Sequence, residues 1–327
     1  MGKRSRPNVF QGNLKKKFYF EGWYNKIVDA SADHIYAIIP TIALNKKEQT
    51  SHAFIQYLDG INATAEYFNY SLDDFENLSN KIYEVQIGKN YFALDRIHVD
   101  IDQQGYKIYG DLEYLDPIPW PKKFLQPGVM GWFSYMPFME TYHGVVSMNH
   151  KIHGTLTING EIVNFDNGKG YIEKDWGKSF PSAWIWTQSN HFSNPNLSFM
   201  FSIAKIPFLG MRFNGFLSAL WHEGDFYKFA TYTRAKVKSL DVSQDNIQIV
   251  VEDKNYQLDF KVAKKGIGSG LMKAPQEGVM SGHIAESINS KIKLKLIDKK
   301  KDRIIIDDLG VNAGLEIKNP EVLKPKK

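Results

Sequence analysis

Apolar and polar residues alternate with period two over much of the chain. In 227–237, Tyr-Lys-Phe-Ala-Thr-Tyr-Thr-Arg-Ala-Lys-Val, odd positions are mostly apolar while Lys228, Arg234 and Lys236 face the other way. That pattern predicts a half-exposed strand. It recurs in 256–262, 291–297 and 106–114. Asn159-Gly160, inside Leu-Thr-Ile-Asn-Gly-Glu-Ile-Val, predicts a tight primed hairpin turn, because both residues tolerate positive φ. Gly88-Lys89-Asn90 is a second candidate turn. Helical periodicity is scarce. Its best case predicts a short helix over 71–80, with Ser71 as cap, Asp74 three residues on, and Leu72, Phe75 and Leu78 on one face.

Many strands joined by short turns point to antiparallel sandwiches or barrels rather than a doubly wound sheet. Segment 115–132 departs from the pattern. There Pro117, Pro119, Pro121 and Pro127 withhold ladder donors, which predicts a long loop carrying exposed or lid-like aromatics. A loose internal repeat is also visible. Phe20-Glu-Gly-Trp-Tyr24, followed by strand-like 35–39 and 53–57, parallels Tyr171-Ile-Glu-Lys-Asp-Trp176, followed by 197–203 and 216–220. The turn-rich 165–170 is the natural junction, so we expect two β-domains, 1–168 and 169–327.

Composition agrees with a packed core, since 43% of the 327 residues are hydrophobic and 24% charged. The chain has no cysteine, which excludes disulfides, a thiol nucleophile, thiolate zinc sites and cysteine-held iron–sulfur clusters. A net charge of +5, with no basic stripe or recognition motif, argues against a nucleic-acid binder. Part of the excess is Lys3, Arg4, Arg6, Lys15, Lys16 and Lys17, with no acid among them, and the chain closes on Lys-Pro-Lys-Lys. Such ends read as solvated, mobile segments or as transient contact with an anionic membrane surface. The N-terminal basics are not followed by a secretory apolar segment, and no apolar run nears the roughly 20 residues of a spanning helix. The expectation is a cytoplasmic protein, soluble or peripherally membrane-associated.

Candidate chemistry concentrates in 170–192, where acids, amides and large aromatics alternate. If 183–188 is a strand, Trp184 and Trp186 share a face with Gln188 and Asn190. Such a wall suits an apolar ligand with a polar head, or equally a structural aromatic cluster. Glu173 and Asp175 flank Lys174 and share a face in an extended segment. Close carboxylates raise the proton affinity of one partner and so make an acid usable near neutral pH; the alternative is pairing with Lys174 or Lys178. Glu21, beside Gly22 and Trp23, is either a desolvated acid or a partner for Lys15 to Lys17. His143, after Glu140 and Tyr142, could assist a proton transfer. His150 and His153, three apart on a strand, send their rings to opposite faces, and no metal site is expected. Phosphate-cradling loops, nucleophile elbows and dinucleotide fingerprints do not occur in the sequence.

Three segments, Phe20-Glu-Gly-Trp-Tyr-Asn-Lys26, Gly170-Tyr-Ile-Glu-Lys-Asp-Trp-Gly-Lys-Ser-Phe-Pro181 and Trp184-Ile-Trp-Thr-Gln-Ser-Asn190, resemble signatures of the tocopherol cyclase-like family. The likeness runs in order to Ser281-Gly-His283 and extends to the related carotenoid hydratase and hydroxyneurosporene synthase group. It implies an all-β architecture of two lipocalin-like antiparallel barrel or sandwich units packed together, with few short helices. It also implies a reaction without a cofactor, in which an acid protonates a prenyl-chain alkene and a neighbouring phenol oxygen captures the tertiary carbocation. That chemistry needs a shielded acid and aromatic faces that stabilise the cation.

Carried over by position, the matching acids are Glu173, Asp175 and Glu21, and the matching aromatics are Trp23, Tyr24, Tyr171, Trp176, Trp184 and Trp186. Gln188 and Asn190 would hold a quinol head, His143 is a further ligand-binding candidate, and Asp175, beside Trp176, is the expected donor. The implied partner is an apolar isoprenoid or prenylated quinol. Two other readings remain, an isoprenoid hydratase and a non-catalytic carrier of an apolar ligand. A carrier tolerates amides at the three acids, whereas an enzyme does not.

Overall fold

The structure, a computed structural model, describes residues 3–123, 126–137, 139–208, 210–264 and 268–324. The last three residues of the basic C-terminal stretch lie outside that set. Within it the protein is nearly all β, organised in two antiparallel sheets.

The first sheet is built from β1 (Phe18–Val28), β2 (Ile35–Asn45), β3 (His52–Asp59), β4 (Thr64–Tyr70), β5 (Phe75–Asn77), β6 (Glu84–Ile87), β7 (Asn90–Ala93), β8 (Arg96–Gln103), β9 (Tyr106–Leu115), β10 (Thr141–Ile158), β11 (Glu161–Asn164) and β12 (Gly168–Gly177). Their order is β4-β3-β2-β1-β12-β10-β9-β8-β7-β6-β5, with β11 hydrogen-bonded to β10. Local hairpins account for most of these pairings. The β10–β11 turn has Asn159 at φ 51° and Gly160 at φ 92°, the left-handed pair that Asn-Gly favours. The β6–β7 turn uses Gly88 at φ 57°. Strand β12 joins distant sequence, bringing 169–177 against 20–28.

The second sheet contains β13 (Trp184–Ser189), β14 (Leu197–Phe208), β15 (Met211–His222), β16 (Asp225–Ala230), β17 (Lys236–Val242), β18 (Asn246–Glu252), β19 (Tyr256–Ala263), β20 (Gly270–Gln276), β21 (Val279–Asp298) and β22 (Arg303–Lys318). Its order is β16-β15-β14-β13-β22-β21-β19-β18-β17, with β20 on β21. The strands read from alternation at 106–114, 256–262 and 291–297 all form.

Each unit has its own core. In the first, Trp23, Ile38, Ile55, Phe68, Phe92, Leu112 and Ile172 are buried together. In the second, Leu197, Phe199, Phe201, Ile249, Leu258, Phe260 and Leu294 are. The division between them differs from the expected 168/169 boundary. The first unit runs through Phe180 and takes back Gly270–His283, while the second holds Pro181–Ser269 and the chain from Ile284. The reason is hydrogen bonding: β12 is a central strand of the first sheet, and β20 packs on β3 and β4, where Gln56 accepts from Lys273 N at 2.8 Å.

Two local expectations are corrected. Residues 71–80 are not a helix. The Ser71–Asp74 capping box forms, but it starts a single 3-10 turn, Leu72–Asp74, and Phe75 then enters β5. Pairing Phe75 with Ile87 buries that ring, which a lone helical turn would not. The strand expected over 227–237 breaks at a 3-10 turn, Thr231–Thr233, whose hydroxyl-bonded cap leads to Arg234 in the left-handed region. The described residues of the proline-rich segment beyond β9 form a loop as expected, ending in a 3-10 turn at Gly131–Tyr135. Its two tryptophans differ, Trp120 being buried and Trp132 exposed.

Candidate active site

Strands β1, β12 and β10 lie side by side at the centre of the first sheet. Their register sets Gly22, Asp175 and His143 in one row, Trp23, Lys174 and Gly144 in the next, and Tyr24, Glu173 and Val145 in the third. Directly paired residues point to the same face, and alternate residues to opposite faces. The short sequence Tyr171-Ile-Glu-Lys-Asp-Trp176 therefore supplies two different chemistries.

On one face, His143 is held between two carboxylates. Its Nδ1 lies 2.9 Å from Asp175 Oδ1 and its Nε2 lies 3.6 Å from Glu173 Oε2. The Tyr171 hydroxyl donates to Glu173 Oε2 at 2.7 Å. Burial, followed by the charge of Glu173, raises the Tyr171 pKa well above its ordinary value, so it remains a phenol donor. The carboxylates are unequally shielded: the Glu173 side chain is 6% exposed and that of Asp175 28%. Tyr24, opposite Glu173, shares this face. Ligand atoms of His143, Glu173 and Asp175 all fall within 4.8 Å of one another, a spacing that would also suit a metal ion.

On the other face, Glu21 forms a fully buried ion pair with Lys174. Glu21 also accepts from Gln11 N at 2.8 Å, from Gly12 N at 2.9 Å and from the Tyr19 hydroxyl. Lys174 Nζ donates to Pro7 O at 3.0 Å and to Val9 O, and lies 4.9 Å and 4.7 Å from the Trp23 and Trp176 ring centroids. Burial lowers the Lys174 pKa to about 8 despite the opposing charge of Glu21. The partner of Glu21 is therefore Lys174 rather than Lys15 to Lys17. The pair fastens residues 7–12 to the sheet, Lys174 through the carbonyls of Pro7 and Val9 and Glu21 through the N–H groups of Gln11 and Gly12.

Grouping all three acids in one site is corrected by this alternation. Glu173 and Asp175 are together with His143, Tyr171 and Tyr24, while Glu21, Trp23 and Trp176 belong to the opposite face and surround an ammonium. Trp184, Trp186, Gln188 and Asn190 are all buried in the second unit. There Trp184 Nε1 donates to Glu316 Oε2 at 2.8 Å, and Gln188 Nε2 lies 3.5 Å from Asn190 Oδ1. His150 and His153 diverge as expected. His153 meets Asp166 at 2.6 Å on the exposed side, and His150 is buried against the Tyr114 ring at 4.2 Å.

Comparison with known proteins adds to this geometry. The model of the tocopherol cyclase-like family matches residues 111–318, more than half of the chain, including His143, Glu173 and Asp175. The chain belongs to the tocopherol cyclase-like family. Among curated relatives, the probable tocopherol cyclase, chloroplastic, of Oryza sativa subsp. japonica is 26% identical over 202 residues, covering 59% of this chain and 42% of the relative. The chloroplastic tocopherol cyclase of Zea mays is 24% identical over 204 residues, covering 60% and 43%. The chain thus spans less than half of either relative.

Among solved structures, CghA with Sch210972 superposes with a TM-score of 0.57 at 10% identity, covering 92% of this chain and 89% of that one. Kievitone hydratase from Nectria haematococca gives 0.52 at 14% identity, covering 96% and 94%. At such identities the shared feature is the lipocalin-like β fold. The opening Phe20–Lys26 motif lies outside the family match, and strand pairing is what brings it to the second motif, Glu21 opposite Trp176 and Tyr24 opposite Glu173.

The sequence reading missed the role of Lys174. A lysine between two acids reads as their surface partner, yet period-two alternation sends it to the opposite face. For His143 the missing information was the β10–β12 register, which no local pattern encodes.

Proposed function

We propose that this member of the tocopherol cyclase-like family is an acid catalyst that closes a ring on a prenylated phenol or quinol. The observation that carries the reading is the imidazole of His143 set between Asp175 and Glu173. In a cyclisation the proton released when the phenol oxygen attacks must replace the proton consumed at the alkene. A histidine bridging two carboxylates provides that return path. Trp176 lies on the opposite face and so does not shield Asp175; what singles out Asp175 as the donor is its opening to solvent, where a substrate can reach it, together with its direct contact to His143. Asp175 gives its proton to the alkene carbon, and the phenol oxygen bonds to the tertiary cation. The phenol proton returns through His143, with Glu173, shielded and hydrogen-bonded by Tyr171, as the internal base. The product is an isomer of the substrate. The names of the plant relatives support this chemistry over simple carriage.

The test is incubation of the purified protein with a prenylated hydroquinone, followed by chromatography and mass measurement. A ring-closed isomer of equal mass supports the cyclase. A product one water heavier indicates a hydratase, and a bound ligand recovered unchanged indicates a carrier.

A further inference from the structure

Two acid-free stretches of sequence, the first twenty residues and 117–137, meet in the first unit. The 3-10 turn Lys3–Ser5 packs against the 3-10 turn Gly131–Tyr135, where Arg4 Nη1 donates to Tyr135 O at 3.0 Å. Lys16 joins them, its Nζ 3.7 Å from the Tyr19 ring centroid. Burial lowers the Lys16 pKa; the charge of Glu21 opposes that shift, and the charges of Arg4 and Lys3 add to it. On the same 3-10 turn as Tyr135, the acceptor of Arg4, Trp132 is 44% exposed and stacks on Phe133 at 4.1 Å.

On a solvated surface the mutual repulsion of these cations is offset only in part, by Glu21 and by the contact of Lys16 with the Tyr19 ring, and the indole is left in water. Both features become favourable at the boundary of an anionic bilayer, where ammonium and guanidinium groups meet lipid phosphates and an indole sits at headgroup depth. We propose that the patch formed by Lys3, Arg4, Lys16 and Trp132 seats the first unit on an anionic lipid membrane. The inference is independent of the reaction at His143, because lipid binding is read without turnover.

The experiment is co-sedimentation of the full chain with vesicles of phosphatidylcholine alone and of phosphatidylcholine mixed with phosphatidylglycerol. Binding is expected to the anionic vesicles only and to weaken with added salt. Arg4→Glu/Lys16→Glu should weaken it roughly fivefold or more per cation reversed. The control Lys261→Glu/Lys291→Glu, which reverses two exposed lysines of the second unit, should bind like wild type. Trp132→Ser, a surface change monitored for folding by circular dichroism, should also weaken binding. Equal binding to neutral vesicles, equal losses in both double variants, or undiminished binding by Trp132→Ser would each overturn the proposal.

Discussion

His143 and Asp175 stand directly opposite each other on β10 and β12, with Nδ1 2.9 Å from Oδ1. The same imidazole reaches Glu173 two residues along β12. A strand spacing of two is what allows one ring to touch both acids, because residues 173 and 175 project from the same face.

The opposite face predicts a stability effect. Glu21→Gln or Lys174→Met alone leaves a buried charge without its partner, at an expected cost of about 3–5 kcal/mol. The double variant should lose far less than the sum, since the remaining buried charge is then gone. Urea denaturation of the three variants checks this. Additive losses would show that the pair is not coupled.

His150 predicts an acid limb in stability. Burial lowers its pKa from 6.5 to about 3, so between those values the unfolded chain binds a proton that the folded chain does not. Stability therefore falls as pH falls through that window, with a slope approaching about 1.4 kcal/mol per pH unit from this group. His150→Gln cannot take up that proton, and its urea midpoint between pH 7 and pH 4 should fall less steeply than that of wild type.

Much of the fold is legible in the sequence where one strand face is solvated. β9, β18 and β19 alternate in burial as their residues alternate in polarity. Central strands are different. β1, β2, β12 and β13 are buried almost continuously, so the polar residues on them mark networks rather than surfaces. Glu21 and Lys174 are instances: each looks like a surface charge, and each is fully buried against the other. The candidate acids could be read because paired acids among aromatics are unusual. Their separation into two faces, and the arrival of His143, depend on which strands neighbour β12, and that is decided by tertiary pairing, with β10 at a separation of 32 residues for His143 and Asp175 and with β1 from the start of the chain.

Tyr171 predicts a kinetic difference from the acids themselves. Tyr171→Phe removes the hydroxyl that donates to Glu173 at 2.7 Å but keeps the ring. A positioning role gives a moderate loss in kcat and a displaced pH–rate profile, with KM nearly unchanged. If Tyr171 instead binds substrate, KM rises and the profile stays in place.

The most direct test of the proton-relay account is turnover of a prenylated hydroquinone in deuterium oxide. The account predicts a ring-closed product with one deuterium newly bound to carbon. It also predicts a fall in kcat of about 10²–10⁴-fold in both Asp175→Asn and His143→Gln, with circular dichroism unchanged. Product formed without carbon-bound deuterium, or undiminished turnover in either variant, would contradict it.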